Sequence, residues 1–179
     1  MKRTISNPVI KDTVTFLQTS ASSGGKITDM ELTLHPGGGN PLHHHSYPEK
    51  FTAIDGDLGL RLGKKNQKIL RPGESFTAIP GALHCFFNPT DREIRFSVQV
   101  EPASQGLEYF LRILYGLAED GLTDKDSKPK SIKHTAILLC MGDVHVLGFI
   151  AVIFPLLKVL AKRAKANGDE QKLIEKYCV

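Results

Sequence analysis

The stretch GGGNPLHHHSYPEKFTAIDG, residues 37–56, places His43, His44, His45 and Glu49 within seven residues. In an extended strand successive side chains alternate between faces. His43 and His45 therefore project together, His44 points away, and Glu49 returns to their parity four residues on. Two imidazoles and a carboxylate suit a divalent transition metal such as Fe, Mn, Zn, Ni or Cu, and leave coordination positions open for water, dioxygen or a substrate. A fourth candidate ligand, His84, follows Pro80, Gly81, Ala82 and Leu83 at the start of a later strand. A sandwich or barrel can bring that strand opposite the first. Alone, His84 would read as a satisfied core histidine.

Outward from this segment, short runs rich in Val, Ile, Phe and Thr alternate with Gly, Pro and Asn clusters at intervals of roughly ten residues. The expected strands are Thr13–Thr19, Ile27–Leu34, Lys50–Ile54, Leu58–Leu62, Lys68–Leu70, Ser75–Ile79, His84–Phe87 and Ile94–Val100. Leu58, Leu60 and Leu62 share one side of their strand, as do Phe96, Val98 and Val100, so each strand has one buried face. Turn chemistry marks the breaks at residues 36–40, 55–57, 63–66, 72–73 and 88–91.

The histidine segment resembles the first cupin motif, G(X)5HXH(X)3-4E(X)6G, with Gly37, His43, His45, Glu49 and Gly56 in place. Residues 73–88 resemble the companion motif, G(X)5PXG(X)2H(X)3N, through Gly73, Gly81, His84 and Asn88. Ile79 stands where the motif has proline, and Pro80 comes one residue later. The departure affects a turn and not a ligand. Nine of ten positions match, across a spacer of sixteen residues, 57–72.

The resemblance covers Val14 to Pro102. It implies a mainly β fold, the double-stranded β-helix or jelly roll, with His43, His45, Glu49 and His84 as ligands of one metal inside the barrel. The motif glycines fall at chain reversals where positive φ is often needed. Phe51 and Phe86 share the inward parity of Glu49 and His84 and read as pocket lining, whereas His35 and Tyr47 fall near the mouth. An epimerase of this superfamily would not need the full ligand set. A two-barrel decarboxylase is not expected, because residues 103–179 carry no second pair of motifs.

After Pro102 the periodicity changes. Leu107, Phe110, Leu111, Leu114, Leu117 and Ala118 recur at helical spacing, with Ser104 available as N-cap and Gly121 as stop. The chain thus divides into a barrel domain, residues 1–102, and a C-terminal helical extension, 103–179, expected to pack on the barrel or on a partner subunit.

Within the extension, residues 136–160 are long enough to span a bilayer. Asp143 and His145 interrupt them, however, and the unbroken run Val146–Leu157 fits a buried helix better. Gly142 and Asp143 read as a helix break, with Asp143 capping a second helix that Pro155 kinks. His134 and His145 read as capping or surface residues without a site role.

Apolar residues at 41% and charged residues at 23% describe a globular chain. With a net charge of +4, Lys and Arg are scattered except between Lys158 and Lys165, so a nucleic-acid partner is not expected. Cys85, Cys140 and Cys178 form no disulfide framework and read as free thiols. No apolar run follows the basic N-terminus, so the expected compartment is cytoplasmic, with membrane anchoring through 136–160 as the alternative.

The functional expectation is a metal-dependent oxygenase or isomerase acting on a small organic molecule. The alternative is a non-catalytic module that binds a small molecule or metal. No residue outside the ligands stands out as a general acid or base, Arg61 being only a guess, which weakens the enzymatic reading without removing it. The apolar tail points to a homodimer.

Overall fold

The computed structural model describes residues 1–178. Ten strands come first: β1 (Thr4–Asn7), β2 (Asp12–Gln18), β3 (Thr28–Leu34), β4 (His43–His44), β5 (Glu49–Asp55), β6 (Leu58–Leu62), β7 (Asn66–Leu70), β8 (Ser75–Ala78), β9 (His84–Phe87) and β10 (Ile94–Val100). Helices α1 (Gln105–Glu119) and α2 (Ile132–Met141) follow. A short strand β11 (His145–Val146) then precedes α3 (Phe149–Ala166) and α4 (Asp169–Tyr177).

The strands form two sheets, ordered β1-β2-β3-β10-β5-β8 and β11-β4-β9-β6-β7, and every pairing between named strands is antiparallel. This is the expected jelly roll with C-terminal helices. Cross-strand registers such as Val14–Leu32–Phe96–Ala53 align inward residues in rows, and these four side chains are buried. Each fully buried Leu or Phe of such a row stabilises the fold by about 1.5–3 kcal/mol.

Three strands lie outside the expected runs, namely β1, which flanks β2, the two-residue β4, where only the histidine spacing suggested extended chain, and β11. The expected cap at Asp143 is also corrected. Residue 148, a glycine, caps α3, and Asp143 instead sits at φ +53° several residues earlier. The chemistry of Asp suits an N-cap, but here its carboxylate is used by a distant backbone N–H. Pro155 lies inside α3, as expected.

α1 joins the barrel to the rest of the extension. Ser104 caps it, accepting from Leu107 N at 3.2 Å. Leu107 and Tyr115 enter the barrel core, whereas Ile113 and Leu117 pack with Ile137, Leu138, Ala164 and Leu173. Gly116 is required by close approach, because a Cβ there would lie 2.2 Å from the Tyr177 ring.

Polar contacts fix α1 against the first sheet. Glu108 accepts from Ser20 N and Thr28 Oγ1, each at 2.6 Å, and the Arg112 guanidinium lies 4.0 Å over the Phe16 ring. The Tyr115 hydroxyl donates to Asp12, whose other carboxylate oxygen is buried without a partner.

Burial pushes the Asp12 carboxyl up to about 7, against the hydrogen bond from Tyr115. A raised carboxyl pKa means the folded state binds more protons than the unfolded one between pH 4 and pH 7. Stability should therefore fall as pH rises through that window, by at most about 4 kcal/mol for a shift of about three units. Denaturant melts of the wild type and Asp12→Asn should differ in pH dependence by this amount. Parallel pH profiles would refute the assignment.

Candidate metal centre

The site is assembled from three places in the fold. β4 is an edge-proximal strand of the five-stranded sheet, and its His43 pairs directly with His84 of β9. Glu49 heads β5 of the other sheet, opposite Ala78 of β8. His45 follows β4 and is tied down by its carbonyl, which accepts from Gly81 N at 2.8 Å. Gly81 adopts φ +77°, a conformation that L side chains rarely take, so the turn before His84 requires this glycine. The other three motif glycines, Gly37, Gly56 and Gly73, also have positive φ. Ile79, at the departing motif position, is exposed on the turn. Asn88 is structural: its side-chain amide donates to the Leu34 and Arg92 carbonyls at 2.9 and 2.7 Å.

His43, His45, Glu49 and His84 each present one ligand atom, and these atoms lie within 4.8 Å of one another. His45 and His84 are only 2% and 1% exposed and Glu49 is 9% exposed, whereas His43 is half-buried and forms the accessible side of the group.

The imidazoles share a local design. Nδ1 of His43, His45 and His84 donates to the carbonyls of Pro41, Tyr47 and Ala82 at 2.8, 2.7 and 2.8 Å. A carbonyl can only accept, so these bonds keep the proton on Nδ1 and leave Nε2 to face the centre. That is how ligating histidines are oriented by their surroundings.

Electrostatics bind the group together. Glu49 Oε2 lies 2.9 Å from His45 Nε2 and 3.0 Å from His84 Nε2. Burial alone would raise the Glu49 carboxyl, but the hydrogen bonds from the two histidines outweigh it and hold the group well below the usual carboxylate range. Burial likewise opposes the charged form of His84, and the bond to Glu49 overcomes it, so His84 titrates above the ordinary imidazole. Burial lowers His43 to about 4, which leaves it neutral near pH 7.

These observations fit a metal ion. Bonds of about 2.0–2.2 Å to N and O donors put adjacent ligand atoms about 3 Å apart, the spacing already present between Glu49 and its two histidines. The donor set is hard-to-borderline nitrogen and oxygen, suited to a divalent transition metal.

The surroundings are largely apolar. Phe51 lies edge-on to His84 at 5.7 Å between ring centres, and Phe86 and Phe96 follow behind it as tilted rings at successive spacings of 6.4 and 5.1 Å. Tyr47 stacks on His45 at 3.9 Å and donates its hydroxyl to the Gly142 carbonyl at 3.2 Å.

The other sequence candidates fall elsewhere. His35 faces Glu93 at 3.3 Å. Arg61 is exposed on the side of β6 opposite the buried Leu58 and Leu60, so it offers no acid–base group to the interior. His44 stacks on His145 at 4.9 Å with rings within 7° of parallel. His145 is half-buried on β11 and pairs with His44, not a surface or capping residue. Sequence reasoning missed it because a two-residue strand has no periodicity. His134 sits in the first turn of α2, its backbone N–H bonded to the N-cap Ser131.

A family model described as Cupin domain matches residues 30–100. This barrel is a cupin. Among solved structures, the cupin barrel is similar to the polyketide cyclase RemF from Streptomyces resistomycificus at 23% identity and a TM-score of 0.47. That match covers 51% of this chain and 65% of the cyclase. A cupin-like protein from Thermotoga maritima is 17% identical with a TM-score of 0.48, covering 55% of this chain and 71% of its own. An RmlC-like cupin from Shewanella frigidimarina is 15% identical with a TM-score of 0.48, covering 56% and 85%. No curated protein matches the chain.

Proposed function

We propose that His43, His45, Glu49 and His84 hold one divalent transition metal, drawn from Fe, Mn, Zn, Ni and Cu, and that the loaded barrel is an oxygenase or isomerase for a small organic molecule. The observation that carries this reading is the convergence of four ligand atoms within 4.8 Å, three of them on imidazoles already turned by Nδ1 bonds. A bound metal supplies Lewis acidity and open coordination positions. The chain's own residues supply the rest. His43 marks the accessible side, Phe51 and Phe86 exclude water below the ligands, and Glu49 offers a buried negative charge.

A second reading, a non-catalytic metal- or ligand-binding cupin, is favoured by one observation. Tyr47, the ionisable neighbour stacked on His45, has its hydroxyl committed to Gly142. A general acid or base needs a proton free to move.

The proposed organisation is a barrel domain, residues 1–102, with a helical extension, 103–179, that packs on it and on a second copy of the chain. Phe149, Val152, Leu156 and Val159 are 75%, 77%, 70% and 51% exposed. They recur at alternating three- and four-residue spacing on one stripe of α3, the seam spacing of paired helices, and such a stripe is self-complementary about a two-fold axis. Among the described residues no helix is long and apolar enough to cross a membrane. The apolar window 136–160 is instead divided between α2 and α3.

Elemental analysis of protein purified without a histidine tag should find about one transition metal per chain, the ratio expected for a mononuclear site. Oxygen uptake with diols, thiols and diketones then separates the two readings. Uptake with one class supports the oxygenase, and metal retention with neither uptake nor substrate rearrangement supports the binding module.

A further inference from the structure

The turn between α2 and α3 lies far along the chain from the barrel motifs, yet it meets the ligand strand at four points. β11 pairs antiparallel with β4, Val146 opposite His43 and His145 opposite His44, extending the sheet beyond the strand that carries the ligands. Asp143 Oδ2 accepts from Ser46 N at 2.8 Å, between the ligand His45 and the stacking Tyr47. His145 lies against His44 with nearly parallel rings, and its Nε2 is 3.2 Å from Asp143 Oδ1. Tyr47 O–H reaches the Gly142 carbonyl.

The local backbone is arranged for these contacts. Asp143 adopts φ +53°, a left-handed conformation that non-glycine residues seldom take outside such constrained positions. A Cβ at residue 142 would lie 2.8 Å from the Phe110 ring, so glycine is needed for the turn to dock on α1. Ordinary helix-to-helix connection requires neither feature.

We propose that Asp143 and His145 are positioning residues of the metal centre. Asp143 fixes the backbone of Ser46, and His145 fixes His44, so together they hold His43 and His45 in the register that makes Nε2 of each face Glu49. β4 is only two residues long and pairs with β9 through a single register position, His43 opposite His84. Without the brace the ligand strand is an edge held by one partner. The helical extension is thereby part of the metal centre, although it contributes no ligand. This inference rests on the metal reading above.

The test uses full-length Asp143→Ala, Asp143→Asn and His84→Ala, with cobalt(II) as the probe. Affinity is read by competition with a chelator, and backbone hydrogen exchange of residues 43–47 is read in metal-free protein. Asp143→Ala should weaken cobalt binding by about 10–100-fold, the effect of losing a partner that orients ligands, and should accelerate exchange at Ser46. Asp143→Asn keeps an oxygen that accepts from Ser46 and a side chain that tolerates positive φ, so it should restore both readouts.

Wild-type cobalt affinity and exchange in Asp143→Ala would overturn the inference, and loss of cobalt from His84→Ala in the same series would leave the metal reading standing. Equal cobalt binding by wild type and His84→Ala would instead defeat the metal reading, and the exchange comparison would still decide whether the brace orders the strand. Should Asp143→Ala fail to fold, His145→Ala removes the ring stack and the contact to Asp143 Oδ1 while keeping the carboxylate that accepts from Ser46. Faster exchange and weaker cobalt binding are expected there too, and wild-type values in both would overturn the inference.

Discussion

Replacing His84 by alanine should leave dialysed protein essentially free of metal, whereas His44→Ala should retain a full equivalent. His84 is 1% exposed, sits opposite His43 on the neighbouring strand and holds Glu49 Oε2 at 3.0 Å. Its loss removes a ligand and also strips a buried carboxylate of one of its two histidine donors, which costs about 1–3 kcal/mol on its own. His43→Ala and His45→Ala should lose metal similarly, since each presents one of the converging atoms. His44 faces His145 instead, so its removal costs the ring stack and should weaken affinity, but it leaves the Ser46–Asp143 bond and the four converging atoms in place, and one equivalent of metal should still survive dialysis. Elemental analysis of the four variants decides the matter. Equal loss in all four would mean that strand parity does not select the ligands.

Truncation after Gly121 is the second large effect expected. It deletes α2, β11, α3 and α4 and leaves α1 with one face uncovered. Ile113 and Leu117, each 0% exposed in the intact protein, would meet water. At about 1.5–3 kcal/mol for each large side chain, the loss is about 3–6 kcal/mol, a large part of the stability of an ordinary domain. Aggregation, or a monomer with a markedly lower denaturation midpoint, is the expected outcome by light scattering and denaturant melts, beside a full-length dimer. A truncated protein that remains a stable dimer would show that α3 is not the interface. Full-length protein that sediments with membranes and needs detergent would assign the exposed stripe of α3 to lipid.

The converging group of three histidines and Glu49, and the barrel, could be read from the chain because both are local patterns repeated at fixed spacing. Leu58 and Leu60 alternate with exposed Arg61, His43 and His45 flank His44, and the motif glycines occupy turns that demand positive φ. A strand period of two and a turn residue's conformational tolerance are properties of a few neighbouring residues, so they survive without knowledge of the fold. The same cannot hold for β11. Two residues define no period, and His145 becomes a strand residue only because His44, about a hundred positions earlier, offers an edge. Asp143 shows the limit from the other side. Its side chain has the chemistry of a helix cap, but the N–H that it satisfies belongs to Ser46 across the molecule. β1 was missed for a related reason, since its four residues bury only Ile5 and Asn7 and gain their identity from pairing with β2.

The row of rings from His84 through Phe51 and Phe86 to Phe96 bears on which molecules can enter. A guest that reaches the ligands from the His43 side must place its polar atoms toward the imidazoles and its far end against carbon. A hydroxyl or amide carried to that end would leave its water behind and meet only aromatic faces, at a penalty of about 1–3 kcal/mol per unpaired group. Under the proposed function, compact molecules with their heteroatoms at one end are therefore the expected guests, and sugars or peptides decorated along their whole length are not.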